Sequence, residues 1–171
     1  MNCITENCSN VRSNRSKKGY CVECGKKARE AFKLMLAEQE RGKQEKIAAH
    51  ESLWQKAIEA GREAGENKNP VPMIVEQHVS PFDDNSPVEK SYYVPEGVCG
   101  FAWISVKPGN SSFANWLKKN ELARKDSYAG GVRIWISEYG QSMEKKEAHA
   151  RAMAQVFNEA GIKAFAMSRM D

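Results

Sequence analysis

Four of the five cysteines fall near the N-terminus, and their spacing constrains the local fold more than any other feature of the sequence. The pattern is Cys3-x4-Cys8, then twelve intervening residues, then Cys21-x2-Cys24. The few sizeable apolar side chains of residues 1–30 are Ile4, Val11, Tyr20 and Val22. Because so little apolar surface can be buried here, this region needs another source of folding free energy.

Two short-spaced cysteine pairs joined by a polar loop supply the four soft ligands that a tetrahedral zinc ion prefers. Structural zinc contributes about 10–16 kcal/mol in finger peptides, which compensates for a missing core. Two disulfides or four unliganded thiols are the alternatives. We predict a structural Zn²⁺, because four thiolates leave no coordination position for water or substrate. The predicted ligands are Cys3, Cys8, Cys21 and Cys24.

The second cysteine pair lies in Gly19-Tyr20-Cys21-Val22-Glu23-Cys24-Gly25-Lys26-Lys27, which is typical of a turn that opens a helix. On this segment and the cysteine spacing, residues 3–30 resemble a treble-clef or zinc-ribbon-like finger. The resemblance implies a small structural zinc module.

Basic residues are concentrated in the same region. Residues 9–33 hold eight basic and two acidic side chains, whereas the whole chain has a net charge of only +4. Lys and Arg bind nucleic-acid phosphates through counterion release, with little sequence specificity. The predicted nucleic-acid or partner contacts are Arg12, Arg15, Lys17, Lys18, Lys26, Lys27 and Arg29.

The remaining chain divides by composition. Residues 31–66 are rich in helix formers and predict a helical arm. Its small residues Ala57, Gly61 and Gly65 would let another helix approach closely. Either the second half of the arm packs on its own domain, or the arm dimerises or docks on a partner. Residues 67–97 are acidic and hold five of the six prolines, which predicts a connector with at most one short strand, Met73–Val79.

Residues 98–171 predict a small sheet with the element order β-α-β-α-β, covered by two helices. The predicted elements are the strand Cys99–Lys107, the helix Ser111–Lys119, the strand Val132–Ser137, a helix over residues 142–160 and the strand Ile162–Met167. The predicted fold class is therefore α+β, with four segments: a four-cysteine zinc finger at 1–30, the arm at 31–66, the connector at 67–97 and the sheet domain at 98–171.

Four short segments of this last domain suggest a family. They are Gly100-Phe101-Ala102-Trp103, Gly130-Gly131-x-x-Ile134-Trp135, Gly140-Gln141-Ser142 and Ser168-Arg169-Met170-Asp171. On these segments, residues 98–171 resemble small bacteriophage-encoded proteins of unassigned function. The resemblance implies an accessory or host-interaction protein and supplies no catalytic residues.

The sequence lacks the usual catalytic constellations. Its three histidines are far apart, and His149 is predicted at the edge of the core. Cys99 lies in an apolar run without an activating base, so we predict a buried structural thiol.

One cluster is a candidate nucleotide or anion surface, because helix N-termini bind anions and Trp beside Arg stacks on a base. Its residues are Arg133, Trp135, Tyr139, Gln141 and Ser142. Alternatively, Trp135 packs under a helix, and Gln141-Ser142 only caps one.

The leading hypothesis is a non-catalytic, phage-like accessory protein that binds nucleic acid through its basic zinc finger. The alternatives are a protein-docking adaptor or inhibitor of host machinery, and a small enzyme acting on a nucleotide or phosphate ester. The expected partners are nucleic acid or a host protein, with a homodimer through the arm. The longest apolar run, Val98–Val106, is shorter than the roughly 20 residues that a membrane-spanning helix needs. No secretory signal is visible, so we expect a cytoplasmic location, in the host cell if the protein is phage-encoded.

Overall fold

The computed structural model describes residues 2, 4–11, 13 and 18–171. The chain divides into two compact units, Met1–Ala48 and Ala49–Asp171, which we call the N-terminal unit and the C-terminal unit. The α+β class predicted from the sequence is confirmed, because both helices and strands are present. No helix in the described part of the chain is long and apolar enough to cross a membrane.

The N-terminal unit begins with a short irregular segment and continues into helix α1. Asn2 and Val11 form an isolated antiparallel bridge, and the Ile4 amide donates a hydrogen bond to the Gly19 carbonyl at 3.2 Å. Gly19 has a φ of +85°, and an added Cβ there would lie 2.8 Å from Cγ2 of Ile4. A residue without a side chain is therefore needed at this turn.

Helix α1 spans Val22–Asn67, so the predicted arm is part of one longer helix that begins at the cysteine pair. Its first part, within the N-terminal unit, is exposed nearly throughout. Its later part, within the C-terminal unit, buries Trp54, Ala57, Gly61 and Gly65. The small residues do permit a close approach, since an added Cβ at Gly61 would lie 2.4 Å from the His149 ring.

The segment predicted to hold at most one strand forms a hairpin of two strands. Strands β1 (Met73–His78) and β2 (Val88–Val94) pair antiparallel, from Met73 opposite Val94 to His78 opposite Val88. The prediction was wrong because β2 is exposed along nearly its whole length, so its sequence carries no buried alternation. The backbone pairing with β1 defines this strand instead.

A four-stranded antiparallel sheet forms the centre of the C-terminal unit. The chain runs through β3 (Gly100–Lys107), α2 (Ser112–Lys119), β4 (Arg124–Lys125), β5 (Val132–Ile136), α3 (Met143–Glu159) and β6 (Lys163–Met170). The strand order is β4-β5-β3-β6, a split β-α-β arrangement. The sequence missed β4, because two residues are too few to show any periodicity.

The core lies on one face of this sheet. Alternate residues of the central strands, such as Ile104 and Ile134, are buried with Phe113 and Leu117 of α2 and with Met153 and Phe157 of α3. Trp54 of α1 belongs to the same cluster and stacks on Phe157 at a ring-centroid distance of 6.4 Å. We call the opposite face, whose strand residues have odd numbers in β3 and β5, the open face.

Candidate metal centre and candidate sheet surface

Three of the four predicted zinc ligands lie together at the start of α1. The Sγ atoms of Cys8 and Cys21 are 3.8 Å apart, and those of Cys24 and Cys8 are 3.5 Å apart. All three sulfur atoms lie within 4.8 Å of one another. Tetrahedral zinc with Zn–S bonds of about 2.3 Å places its sulfur ligands about 3.8 Å apart. This cluster of thiols is therefore close enough to hold a metal ion.

The cysteine pair that opens α1 is organised for thiolates. The Cys24 amide donates a hydrogen bond to Sγ of Cys21 at 3.3 Å, and this bond is the main reason that the pKa of Cys21 is lowered. The side-chain amide of Asn10 lies 3.8 Å from the same sulfur. Because α1 begins at Val22, the positive end of its dipole also faces the cluster. Backbone and helix both favour the charged form that binds metal.

The fourth predicted ligand, Cys3, lies outside the described residues. Its two neighbours are described: Asn2 pairs with Val11, and Ile4 is bonded to Gly19 two residues before Cys21.

The predicted basic contacts are described in part. Arg12, Arg15 and Lys17 lie outside the described residues. Lys18 is exposed, and so are Lys26, Lys27 and Arg29 in the first two turns of α1. The Nε of Arg29 donates to the Gly25 carbonyl at 3.1 Å, so this side chain lies along the helix beside the cysteine pair.

The five residues of the candidate nucleotide surface lie in three places. Arg133 and Trp135 lie on the open face of the sheet, where Trp135 is 45% exposed. Trp135 is thus not packed under a helix. The Arg133 guanidinium bonds Asp126 at 2.9 Å, and Asp126 also accepts bonds from the amides of Tyr128 and Ala129. The Ala129 amide and then Arg133 hold the pKa of Asp126 below its usual range.

Tyr139 lies away from the open face. Its φ of +69° turns the chain after β5, and its hydroxyl lies 3.0 Å from Nδ1 of His149. An added Cβ at Gly65 would lie 2.4 Å from the Tyr139 ring, so this ring packs against α1.

Gln141 and Ser142 adjoin the first turn of α3 and the segment before β3. Ser142 is the N-cap residue of α3 but makes no side-chain cap bond and is 1% exposed. Instead, the Met143 amide donates to the Val98 carbonyl at 3.0 Å. Glu144 in the first turn is paired with Lys68 at 2.9 Å. With its first amide bonded and a carboxylate beside it, this helix N-terminus does not present the anion site that the sequence suggests.

Cys99 is partly exposed rather than buried in a strand. Its Sγ donates to Oε1 of Gln141 at 2.8 Å and lies 3.6 Å from an Asp171 carboxylate oxygen. Burial first, and then Asp171, raise the pKa of Cys99, so this thiol stays protonated near neutral pH. The pKa of Cys99 is thus shifted in the direction opposite to that of Cys21.

His149 was predicted at the edge of the core, but the structure buries it within the core. It is 2% exposed, and its two ring nitrogens lie 3.0 Å from the Tyr139 hydroxyl and 3.2 Å from Sδ of Met153. Burial is the main cause of its lowered pKa. The histidine is therefore a neutral packing residue.

Sequence reasoning missed most of the open face. The continuous apolar run Cys99–Lys107 indicates a strand buried on both sides, whereas Phe101 and Trp103 lie on the face opposite the core. Their odd positions, alternating with Ala102 and Ile104, were the available signal.

Comparisons with known proteins return nothing for this chain: no family model matches it, and neither does any curated protein or solved structure at a significant level. Its function is therefore inferred from the sequence and from the geometry of the described residues.

Proposed function

We propose that the chain is a non-catalytic nucleic-acid-binding protein whose N-terminal unit is a basic module held together by zinc. The observation that carries this proposal is the convergence of Cys8, Cys21 and Cys24 at the first turn of a helix. That same turn leads directly into exposed Lys26, Lys27 and Arg29. The metal orders the turn that contains Cys21 and Cys24. This turn fixes the position of the positive side chains that follow it in α1.

Zinc is the metal that best fits this donor set. Soft thiolate sulfur favours zinc over hard cations such as magnesium or calcium. We propose Cys3 as the fourth ligand, because it completes a set of four thiolates. A closed site of four cysteines gives the ion a structural role only. The chain's own residues, and not the metal, would contact the partner.

The expected mode of binding is electrostatic. Helix-borne Lys and Arg contact phosphates and give affinity through counterion release, with little reading of sequence. The resemblance of residues 98–171 to phage-encoded proteins extends the proposal to an accessory protein in the host cytoplasm.

Metal content tests the zinc site. Purified protein is expected to hold one zinc per chain, and Cys3→Ser, Cys21→Ser and Cys24→Ser are each expected to lose most of it. Cys99→Ser is the matched control, because Cys99 lies in the other unit. Equal zinc content in the Cys24→Ser and Cys99→Ser proteins would contradict the site.

A salt series tests the nucleic-acid contact. The triple variant Lys26→Ala, Lys27→Ala and Arg29→Ala is expected to reduce the slope of log affinity against log salt by about 2–3, for single strands and duplexes alike. The control removes three exposed charges from the same helix, at Arg41, Lys43 and Lys46. Identical losses in the two variants would show that only net charge matters and would reject the module as a binding site.

A protein-docking adaptor is the second candidate, favoured by one observation. Phe32, Met35 and Leu36 share one face of α1 and are 56%, 45% and 43% exposed. Exposed apolar side chains at this spacing fit a partner helix, either a host protein or a second copy of the chain. A stoichiometric complex that survives nuclease and is lost in Phe32→Ser would support this candidate.

A further inference from the structure

The open face of the four-stranded sheet is aromatic where such a face is ordinarily polar. Antiparallel sheets commonly bury one face and present polar side chains on the other. Here Trp135 is 45% exposed, Phe165 is 52% exposed and Met167 is 48% exposed. Phe101 and Trp103 lie beside them on the neighbouring strand and are partly exposed. These five residues, which we call the aromatic patch, lie on the three neighbouring strands β5, β3 and β6.

The rings on this face contact one another across strands. Trp103 and Trp135 are directly opposite in the register, and their rings are parallel to within 3° at a centroid distance of 5.7 Å. The Phe101 ring lies 5.5 Å from that of Trp135. Phe165 extends the apolar area onto the edge strand, two positions along from Met167. The register therefore places these side chains next to one another across the centre of the sheet.

Positive charge surrounds the patch. The register places five basic side chains on the open face: Lys107, Arg124, Arg133, Lys163 and Arg169. The guanidinium of Arg133 lies 5.1 Å from the Trp103 ring centroid, and that of Arg169 lies 5.4 Å from the Phe101 ring centroid. The four strands of this sheet, all of them described, contain no acidic residue. Two acidic residues lie just outside these strands: Asp126, which pairs with Arg133, and Asp171, which follows β6.

We propose that the open face binds single-stranded nucleic acid, with bases stacked on the aromatic patch and phosphates near the surrounding Lys and Arg. Unpaired bases have exposed π-faces that aromatic side chains stack on, and this stacking tolerates any sequence. In a duplex the base faces are stacked on one another, so only the phosphates can contact a flat aromatic surface. The patch therefore selects single strands.

The charge distribution favours this occupant over a second copy of the chain. Two open faces brought together would place five basic side chains against five others, without acidic strand residues to compensate. A polyanion that also carries flat apolar rings matches both properties of the face. The site lies in the C-terminal unit and uses none of the residues of the zinc module, so it is independent of the proposed function.

The experiment uses the intact 171-residue chain, supplied with zinc, and a fluorescent single-stranded oligonucleotide of about 12 nucleotides, within the usual site size. Trp135→Ala and Phe165→Ala are each expected to weaken single-strand binding about tenfold, the loss of one base stack. Trp135→Phe should retain most of the affinity. Tyr128→Ala is the matched control, since Tyr128 is 97% exposed in the same unit. Because every substituted side chain is at least partly exposed, circular dichroism should show an unchanged fold.

Substitutions in the two proposed binding surfaces should have different effects on binding. Loss of Lys26, Lys27 and Arg29 should weaken single strands and duplex by similar factors, whereas the open-face variants should weaken single strands only. Unchanged single-strand affinity in both Trp135→Ala and Phe165→Ala would overturn the open-face site and leave the module untouched. So would a concentration-dependent dimer, or binding to anionic phosphatidylserine vesicles, that is lost in these variants while single-strand affinity persists.

Discussion

The two units of this chain illustrate different ways of holding a fold together. Among the described residues of Met1–Ala48, only Gly19 and Cys21 are buried. The C-terminal unit instead buries a contiguous cluster of Phe, Ile, Val, Leu, Met and Ala side chains beneath its sheet. Apolar burial contributes roughly 25 cal/mol per Å², so it can stabilise the second unit but contributes little to the first. The proposed zinc would supply the N-terminal unit with folding free energy that the C-terminal unit obtains from its apolar core.

Removal of the proposed zinc should have the largest effect, and only in the N-terminal unit. Structural zinc is worth about 10–16 kcal/mol in finger peptides, and among the described residues of 4–24 only Gly19 and Cys21 are buried. After chelation we expect the amides of this segment to exchange with solvent freely, while those of β3 and β5 stay protected. Hydrogen exchange of the intact chain measures both units at once. Persistent protection around Cys21 after chelation would contradict the comparison.

A core truncation should have the converse effect. Phe157 is fully buried and contacts both Trp54 and Phe113, so Phe157→Ala should destabilise the C-terminal unit by about 3–5 kcal/mol. All four tryptophans lie in that unit, so urea unfolding followed by Trp fluorescence reports on it alone. Phe82→Ala, at a 98% exposed side chain, should change the free energy of unfolding by less than about 0.5 kcal/mol. Zinc content should stay the same in both variants.

The two parts of α1 can be compared by replacing one glycine in each part with alanine. Gly61→Ala would place a Cβ 2.4 Å from the His149 ring, which is itself buried, and should cost about 1–3 kcal/mol. Gly42 has no atom within 4 Å of an added Cβ, so Gly42→Ala should stabilise its part of the helix by about 1 kcal/mol. Trp fluorescence measures the first change, and amide exchange near residue 42 measures the second. Equal signs for the two substitutions would show that both parts of the helix are packed alike.

The sequence allowed the elements with strong local signals to be predicted. Cysteine spacing predicted the thiol cluster, and periodicity predicted α2 and α3 to within a residue or two. The hydroxyl of Ser111 accepts a bond from the Ala114 amide at 3.2 Å, as a capping residue should. These features depend on residues close together in the chain.

Features set by long-range pairing escaped prediction. The candidate cluster around Arg133 is divided because Tyr139 and Gly140 both have positive φ, which reverses the chain after β5. The aromatic patch joins Trp135 to Trp103 and Met167, which lie on strands far apart in the sequence. Only the register of the sheet brings them together, and no local pattern reports that register.

The smallest expected effect is a pH dependence of the C-terminal unit. Burial lowers the pKa of His149 in the folded state, whereas the unfolded chain keeps the ordinary value near 6.5. As pH falls below about 6.5, the unfolded state takes up a proton before the folded state does, so the free energy of unfolding decreases. Above that pH the contribution of the neutral histidine is fully present.

Urea unfolding at several pH values between about 5.5 and 7.5 measures this dependence through Trp fluorescence. His149→Gln should be less stable at neutral pH, because it loses ring packing against Tyr139 and Met153, but its stability should vary less across this range. Asp126 and Glu144 have lowered pKa values and titrate below this range, so their carboxylates stay charged in both proteins. An equal pH slope in the two proteins would assign the dependence to groups other than His149. A flatter slope in the variant would confirm that the buried His149 of the C-terminal unit is the source of the pH dependence.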